Sequence, residues 1–226
     1  LVNLDLTLEA GRAVAERIPG ATLRLIGDGH RRDVAEGLVA DFPNRVSWTR
    51  AVPAEEIAGA LDSDYGRLIL LGLGLCLLGD VLLIPEGRLA VFRAGVFAFL
   101  AGHVAFAAAF LTQPRSLPWL AVAAVVLVLA LSGVWRWLSP RLPADMRRPV
   151  QAYFLVIGVM TALACAVSGA GGPSIIAAGA IAFTVSDIAV ARDRFVHQEF
   201  ANRAWGLPLY YLAQVLLALS PSVISG

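Results

Sequence analysis

The chain has 226 residues, 58% of them hydrophobic and 15% charged, with a net charge of +1 and a mean hydropathy of +0.72. Soluble domains run nearer half apolar and a quarter charged, so a simple water-soluble globule is excluded, as is a nucleic-acid footprint. The average hides a break: residues 1–65 hold 7 Arg and 11 Asp or Glu, whereas residues 66–226 hold 11 Arg and 6 Asp or Glu. All 18 basic residues are Arg, and Cys76 and Cys165 sit inside apolar runs, where they read as packing residues and not as a disulfide or metal site.

Residues 1–8 lack the basic start and apolar run of a signal peptide, and the missing initiator Met suggests a trimmed start. Ala10, Val14 and Ile18 recur at helical spacing over 9–18, and Pro19-Gly20 ends that pattern. A strand is expected over 22–26, a helix over 30–41 and a strand over 45–49. A helix over 53–61 then places Pro53 near its first turn, with Glu55 and Glu56 where the helix dipole favours acids. The order α-β-α-β-α is a slice of an α/β sheet, so residues 1–65 read as a short soluble α/β fragment. The run Ile18-Pro-Gly-Ala-Thr-Leu-Arg-Leu-Ile-Gly-Asp-Gly-His-Arg-Arg-Asp, with Arg45-Val-Ser-Trp and Val52-Pro-Ala-Glu-Glu-Ile, resembles part of the sugar-nucleotide-binding domain of retaining GT-B glycosyltransferases. His30 departs from that pattern, and the family's basic phosphate-binding pair and downstream acidic motif have no counterpart. The expectation is an inert fused remnant.

From residue 66 the chain changes character. Six apolar stretches, at about 66–84, 94–112, 117–138, 149–168, 173–190 and 204–224, each approach the ~20 residues that cross a ~30 Å hydrocarbon core. Pro85, Pro114, Pro118, Pro140, Pro143, Pro149 and Pro173 fall in or beside the connections, and Trp119, Trp135, Trp137 and Trp205 lie near span ends. The fold class is therefore an all-α membrane protein, a polytopic bundle of six transmembrane helices. Arginines 88, 93, 136, 141, 147, 148, 192, 194 and 203 collect at one end of the bundle, leaving Arg67 and Arg115 at the other. The positive-inside rule makes the arginine-rich end cytoplasmic and the chain an integral protein of the cell inner membrane.

Ionisable residues inside spans are costly and mark functional sites. Asp80 and Asp187 fall about 7 Å inside the arginine-rich boundary, and His103 falls near the midplane. Tyr153, Tyr211 and Gln214 add polar groups in the same half, while the span 117–138 offers only Ser132 and reads as a packing or lipid-facing helix. Read singly, each has a plain structural use: His103 as a core histidine, the aspartates as snorkelling partners of nearby Arg, Tyr211 and Gln214 as interhelical bonds. Level in depth on five spans, they read together as one polar pocket. Glycines from Gly66 to Gly79 and from Gly169 to Gly172 permit close helix approach, and Phe92, Phe99 and Phe106 are packing residues.

Leu78-Gly-Asp-Val-Leu-Leu, Gly95-Val-Phe-Ala-Phe-Leu-Ala-Gly-His-Val-Ala-Phe, Pro149-Val-Gln-Ala-Tyr, Met160, Val185-Ser-Asp and Tyr210-Tyr-Leu-Ala-Gln occur in the order found in the YhhN family of membrane proteins, which the chain resembles from about Gly66 onward. That family includes lysoplasmalogenases, which hydrolyse the vinyl ether bond of lysoplasmalogens to a fatty aldehyde and a glycerophospho-base. The resemblance implies Asp80, His103 and Asp187 as catalytic residues, with Tyr153, Ser186, Tyr211 and Gln214 lining a site for a lysophospholipid or ether lipid among the membrane lipids. The family pattern has eight spans against six here, and Phe106 stands where a Tyr is common. A homo-oligomer could supply the missing spans.

The chemistry suits these residues. Vinyl ethers hydrolyse by proton transfer to the β-carbon, followed by water capture of the oxocarbenium ion. Burial and a neighbouring carboxylate both disfavour ionisation of a carboxyl, so one of two aspartates can serve as the acid and the other as the charge that stabilises the cation. No metal or cofactor is called for. The rival uses are a proton relay in a small transporter and a fusion product without activity.

Overall fold

The computed structural model describes residues 12, 16, 23–26, 32–44, 46–49, 62–84 and 88–224. Contacts divide the chain into two units, Leu1–Ile57 and Ala58–Gly226. In the first unit, strands β1 (Leu23–Ile26) and β2 (Val46–Thr49) pair in parallel, with Leu23 opposite Val46 and Ile26 opposite Thr49. Helix α1 (Arg32–Asp41) lies between them in sequence and supplies the crossover that a parallel pair requires. Leu38 and Val46 are buried together, with Val39 and Phe42 against them. The helix expected over 53–61, and all but residues 12 and 16 of the one expected over 9–18, lie outside the described residues.

The second unit contains α2 (Asp64–Leu83), α3 (Leu89–Leu111), α4 (Leu117–Leu138), a 3-10 turn (Ser139–Arg141), α5 (Ala144–Gly169), α6 (Ser174–Phe195) and α7 (Phe200–Ile224). All six helices are long and apolar enough to cross a membrane. The protein is an integral membrane protein. Ser63 caps α2 by accepting from Gly66 N at 3.0 Å. At the arginine-rich end, α3, α5, α6 and α7 run about a turn past their apolar stretches, because long arginine side chains reach water while the backbone stays helical. Pro149 consequently lies inside α5 and not in the connection before it, close enough to the helix start that the lost backbone bond falls at the exposed first turns.

The pairs α2–α3, α4–α5 and α6–α7 pack as antiparallel neighbours. On α2 and α3, a Cβ at Gly79 would come within 2.6 Å of the Phe99 ring, and Gly72 faces Phe106 in the same register one heptad away. These glycines let an aromatic ring fill the space a side chain would take. Gly74, grouped with them in the sequence, meets nothing within 4 Å. On α6 and α7, Gly206 faces Ala189 and Gly179 faces Leu217. The α5–α6 turn needs Gly171, whose φ of 96° side-chain-bearing residues rarely adopt, and Ser168 Oγ ties that turn by donating to Pro173 O at 2.9 Å. Helix α4 packs mainly on α5 and has only 6% of its apolar window buried, so it turns Val122, Val125, Val126, Val128 and Leu129 outward.

Candidate active site

A cavity of about 600 Å³ opens among the helices of the second unit, large enough for a drug-sized or single-chain lipid ligand. Its deepest described lining residues, Phe99, Ile157, Thr184 and Tyr210, lie near the middles of their helices. From there the lining extends to Asp193, Arg194 and Arg203 at the arginine-rich end. Apolar side chains from α3, α4 and α5, including Phe92, Val96, Leu131 and Phe154, form one wall.

Two aspartates face this cavity, each held by a tyrosine from a different helix. Tyr153 of α5 donates its hydroxyl to Asp187 Oδ2 of α6 at 2.8 Å. Tyr210 of α7 donates to Asp80 Oδ2 of α2 at 2.7 Å, and Gln214 Nε2, one turn further on, donates to Tyr210 Oη at 2.7 Å. His103 of α3 sits behind the first pair, with its side chain 1% exposed against 18% for Asp187. Its Nδ1 lies 2.6 Å from Phe99 O, and its Nε2 lies 3.6 Å from Asp187 Oδ2. A carbonyl only accepts, so Nδ1 carries the ring proton and Nε2 presents a lone pair toward the carboxyl group. That Nε2 is buried without a hydrogen-bond partner.

Aromatic packing fixes these groups. The Phe183 ring contacts His103 at 4.6 Å and Tyr210 at 5.4 Å between centroids, both near edge-on, and so stands between the two tyrosine–aspartate pairs. Tyr153 also meets His103 at 5.2 Å, and Phe99 meets Tyr210 at 6.1 Å. Such edge-to-face contacts in a close-packed interior leave the rings few alternative positions.

Residues 50–221 match the YhhN family. The chain belongs to the YhhN family. The lysoplasmalogenase TMEM86A of Bos taurus is 33% identical over 159 residues, covering 67% of this chain and 64% of that protein. The lysoplasmalogenase TMEM86B of Homo sapiens is 30% identical over 186 residues, covering 78% and 77%. That of Sus scrofa is 34% identical over 145 residues, covering 64% and 58%. The chain thus spans under two thirds of the length of the cattle relative. No solved structure matches. The family match does not carry the glycosyltransferase resemblance of residues 1–62.

In this YhhN chain the fold gathers Asp80, Asp187, Tyr153, His103 and Gln214 around one cavity as two hydrogen-bonded groups separated by Phe183, with His103 and Gln214 behind the cavity lining. It does not bring in the other two residues expected to line the site. Ser186 is 1% exposed and donates to Phe183 O at 2.7 Å, so its hydroxyl is closed on its own helix. Tyr211 is 62% exposed and lies outside the cavity lining; its neighbour Tyr210 holds Asp80 instead. Consecutive helical residues point about 100° apart, so two adjacent tyrosines cannot share one face. Asn202, Gly206, Tyr210, Ala213 and Leu217 are all buried and share one face of α7, which is how the packing selects Tyr210. Phe92 and Phe99 line the cavity as well as packing the core.

Proposed function

We propose that this chain is a membrane-embedded hydrolase that cleaves the vinyl ether bond of lysoplasmalogen-type lipids, releasing a fatty aldehyde and a glycerophospho-base. The observation that carries this reading is the pair of tyrosine-held aspartates facing a largely apolar cavity. The names of the relatives support the same substrate class.

The roles of the two aspartates differ because their neighbours differ. Between Asp187 Oδ2 and the bare Nε2 of His103, two acceptors would face each other if no proton lay there. A proton carried by Asp187 makes the pair neutral, the cheapest arrangement for a site this enclosed. Asp187 is the member of that pair that lines the cavity, so it delivers the proton to the β-carbon of the vinyl ether. A C–H bond forms there, and the ether oxygen shares the resulting positive charge as an oxocarbenium ion. Asp80, which accepts the Tyr210 hydroxyl, acts in its carboxylate form: it stabilises that cation and takes a proton from the water that attacks it. The hemiacetal then collapses, its hydroxyl proton passing to the leaving glycerol oxygen. A proton then passes from Asp80 to Asp187 through water, which resets both carboxyl groups, and the net reaction consumes one water.

The cavity lining is confined to the arginine-rich half among the described residues, which favours an amphiphile entering from one face over a path through the bundle. By the arginine distribution that face is cytoplasmic and the membrane is the inner membrane. Residues 1–49, which precede the family match, take no part in this chemistry. The test is aldehyde release from a lysoplasmalogen by the purified full chain. Asp80→Asn and Asp187→Asn are each expected to lower turnover at least ~10²-fold while the protein still inserts and elutes as a single species. Full activity in either variant removes that residue from the mechanism, and an inactive parent chain overturns the reading.

A further inference from the structure

The cavity mouth carries a charge arrangement that the cleavage chemistry does not use. Five ionised groups gather where α6 ends and α7 begins: Arg192, Asp193, Arg194, Glu199 and Arg203. Arg192 pairs with Glu199 at 3.5 Å, His197 Nδ1 lies 3.3 Å from the same carboxylate, and Arg203 Nε binds Asp193 Oδ2 at 3.4 Å. Asn202 Nδ2 and Glu199 N also bind Asp193 Oδ1, each at 3.2 Å, so that carboxylate is fully engaged. Arg194 is left with no ion pair among the described residues. Its guanidinium lies 4.2 Å from the centroid of the Phe92 ring, and both residues line the cavity. Stacking on an aromatic face holds the cation in place without occupying its hydrogen-bond donors. Two ion pairs thus leave one cation facing the cavity, matched to a monoanion.

The spacing fixes the depth of that cation. Arg194 follows Asp187 by seven residues on α6, and Arg203 precedes Tyr210 by seven residues on α7. Seven residues are two helical turns, which place each arginine on the same face as its deeper neighbour and about 10 Å nearer the mouth. Because α6 and α7 run antiparallel, both helices put a guanidinium at the same level above the aspartates. In a single-chain glycerophospholipid, seven bonds separate the vinyl β-carbon from phosphorus, about 8 Å at the ~1.2 Å per bond of an extended chain. With that carbon at Asp187, the phosphodiester arrives within hydrogen-bonding reach of Arg194 and Arg203.

We propose that the mouth of the cavity is a binding site for the phosphodiester monoanion of a single-chain glycerophospholipid, with Arg194 as its charge partner and the Nη groups of Arg203 and the amide of Gln198 as further donors. The site rests on the proposed function for the depth of the reacting carbon. It also gives the substrate its orientation, head group toward the arginine-rich end and chain along the apolar wall of α3, α4 and α5.

The experiment measures binding, which requires no turnover. The full chain in detergent is titrated with a 1-O-alkyl lysophospholipid, with the 1-O-alkylglycerol of the same chain length, and with inorganic phosphate. The lysophospholipid is expected to bind about tenfold more tightly than the alkylglycerol, the effect of one charge-assisted contact at a half-exposed site. Arg194→Gln removes that difference and leaves alkylglycerol binding unchanged, Arg194→Lys restores part of it, and Arg136→Gln, an exposed arginine outside the cavity lining, has no effect. Equal affinity for the two lipids in the parent chain overturns the proposal. So does an equal loss on both lipids in Arg194→Gln. Inorganic phosphate binding as tightly as the lysophospholipid would assign the site to free phosphate and overturn the lipid assignment. Aldehyde release, measured separately on the parent chain, reports on the cleavage reading alone.

Discussion

Tyr210→Phe is the substitution that separates the tertiary arrangement from a reading of residue types. It deletes one hydroxyl that donates to Asp80 Oδ2 at 2.7 Å and accepts from Gln214 Nε2 at 2.7 Å. The ring keeps its edge-on contacts with Phe183 at 5.4 Å and Phe99 at 6.1 Å, so packing changes little. A hydrogen bond to a charged group contributes about 1.5–3 kcal/mol, and here it holds the carboxylate that faces the developing cation. About 2 kcal/mol lost from the transition state corresponds to about a 30-fold fall in kcat. Tyr211→Phe, one residue along and outside the cavity, is expected to stay within about twofold of the parent, as surface changes commonly do. The assay is aldehyde release from a lysoplasmalogen under saturating conditions, with thermal unfolding in detergent as the control for folding. If Tyr210 acts only by holding Asp80, adding Tyr210→Phe to Asp80→Asn costs little more than Asp80→Asn alone, because the two residues then act as a unit. A Tyr210→Phe chain within twofold of the parent, or a Tyr211→Phe chain that loses as much, refutes the arrangement.

Gly79→Val is expected to lower the unfolding temperature by several degrees, the effect of about 1–3 kcal/mol of overpacking, because its Cβ would lie 2.6 Å from the Phe99 ring. Gly74→Val, with nothing within 4 Å, serves as its neutral counterpart in the same melting experiment. Ser186→Ala is expected to turn over within about twofold of the parent, since its hydroxyl bonds only to Phe183 O on its own helix. A tenfold loss of aldehyde release would return Ser186 to the chemistry.

Much of the site was legible before the fold. Charged and polar residues in an apolar span have no cheap place except a shared interior, so Asp80, His103, Asp187 and Tyr153 were marked by composition and depth alone. The near-absence of polar residues in 117–138 left a packing or a lipid-facing helix open, and the structure turns α4 outward, where it offers the cavity only Leu131. The glycines faced the other way: Gly72, Gly74 and Gly79 read alike in sequence, yet only the first and last meet a ring on α3. Which glycine is a notch depends on the phase between two helices, and phase is not written in either one.

The same limit explains the aspartate partners. Sequence determined that six helices span a membrane and at what depth each polar group lies, because both follow from hydrophobic length and the fixed rise of a helix. It could not determine which way each group faces. A soluble helix declares its inner face by its hydrophobic stripe, but a membrane helix is apolar on all sides and carries almost none. The choice of Tyr210 over Tyr211, the withdrawal of Ser186 into its own helix, and the placing of His103 behind Asp187 were all decided by how the helices rotate to bury Phe99, Phe106 and Phe183 between them.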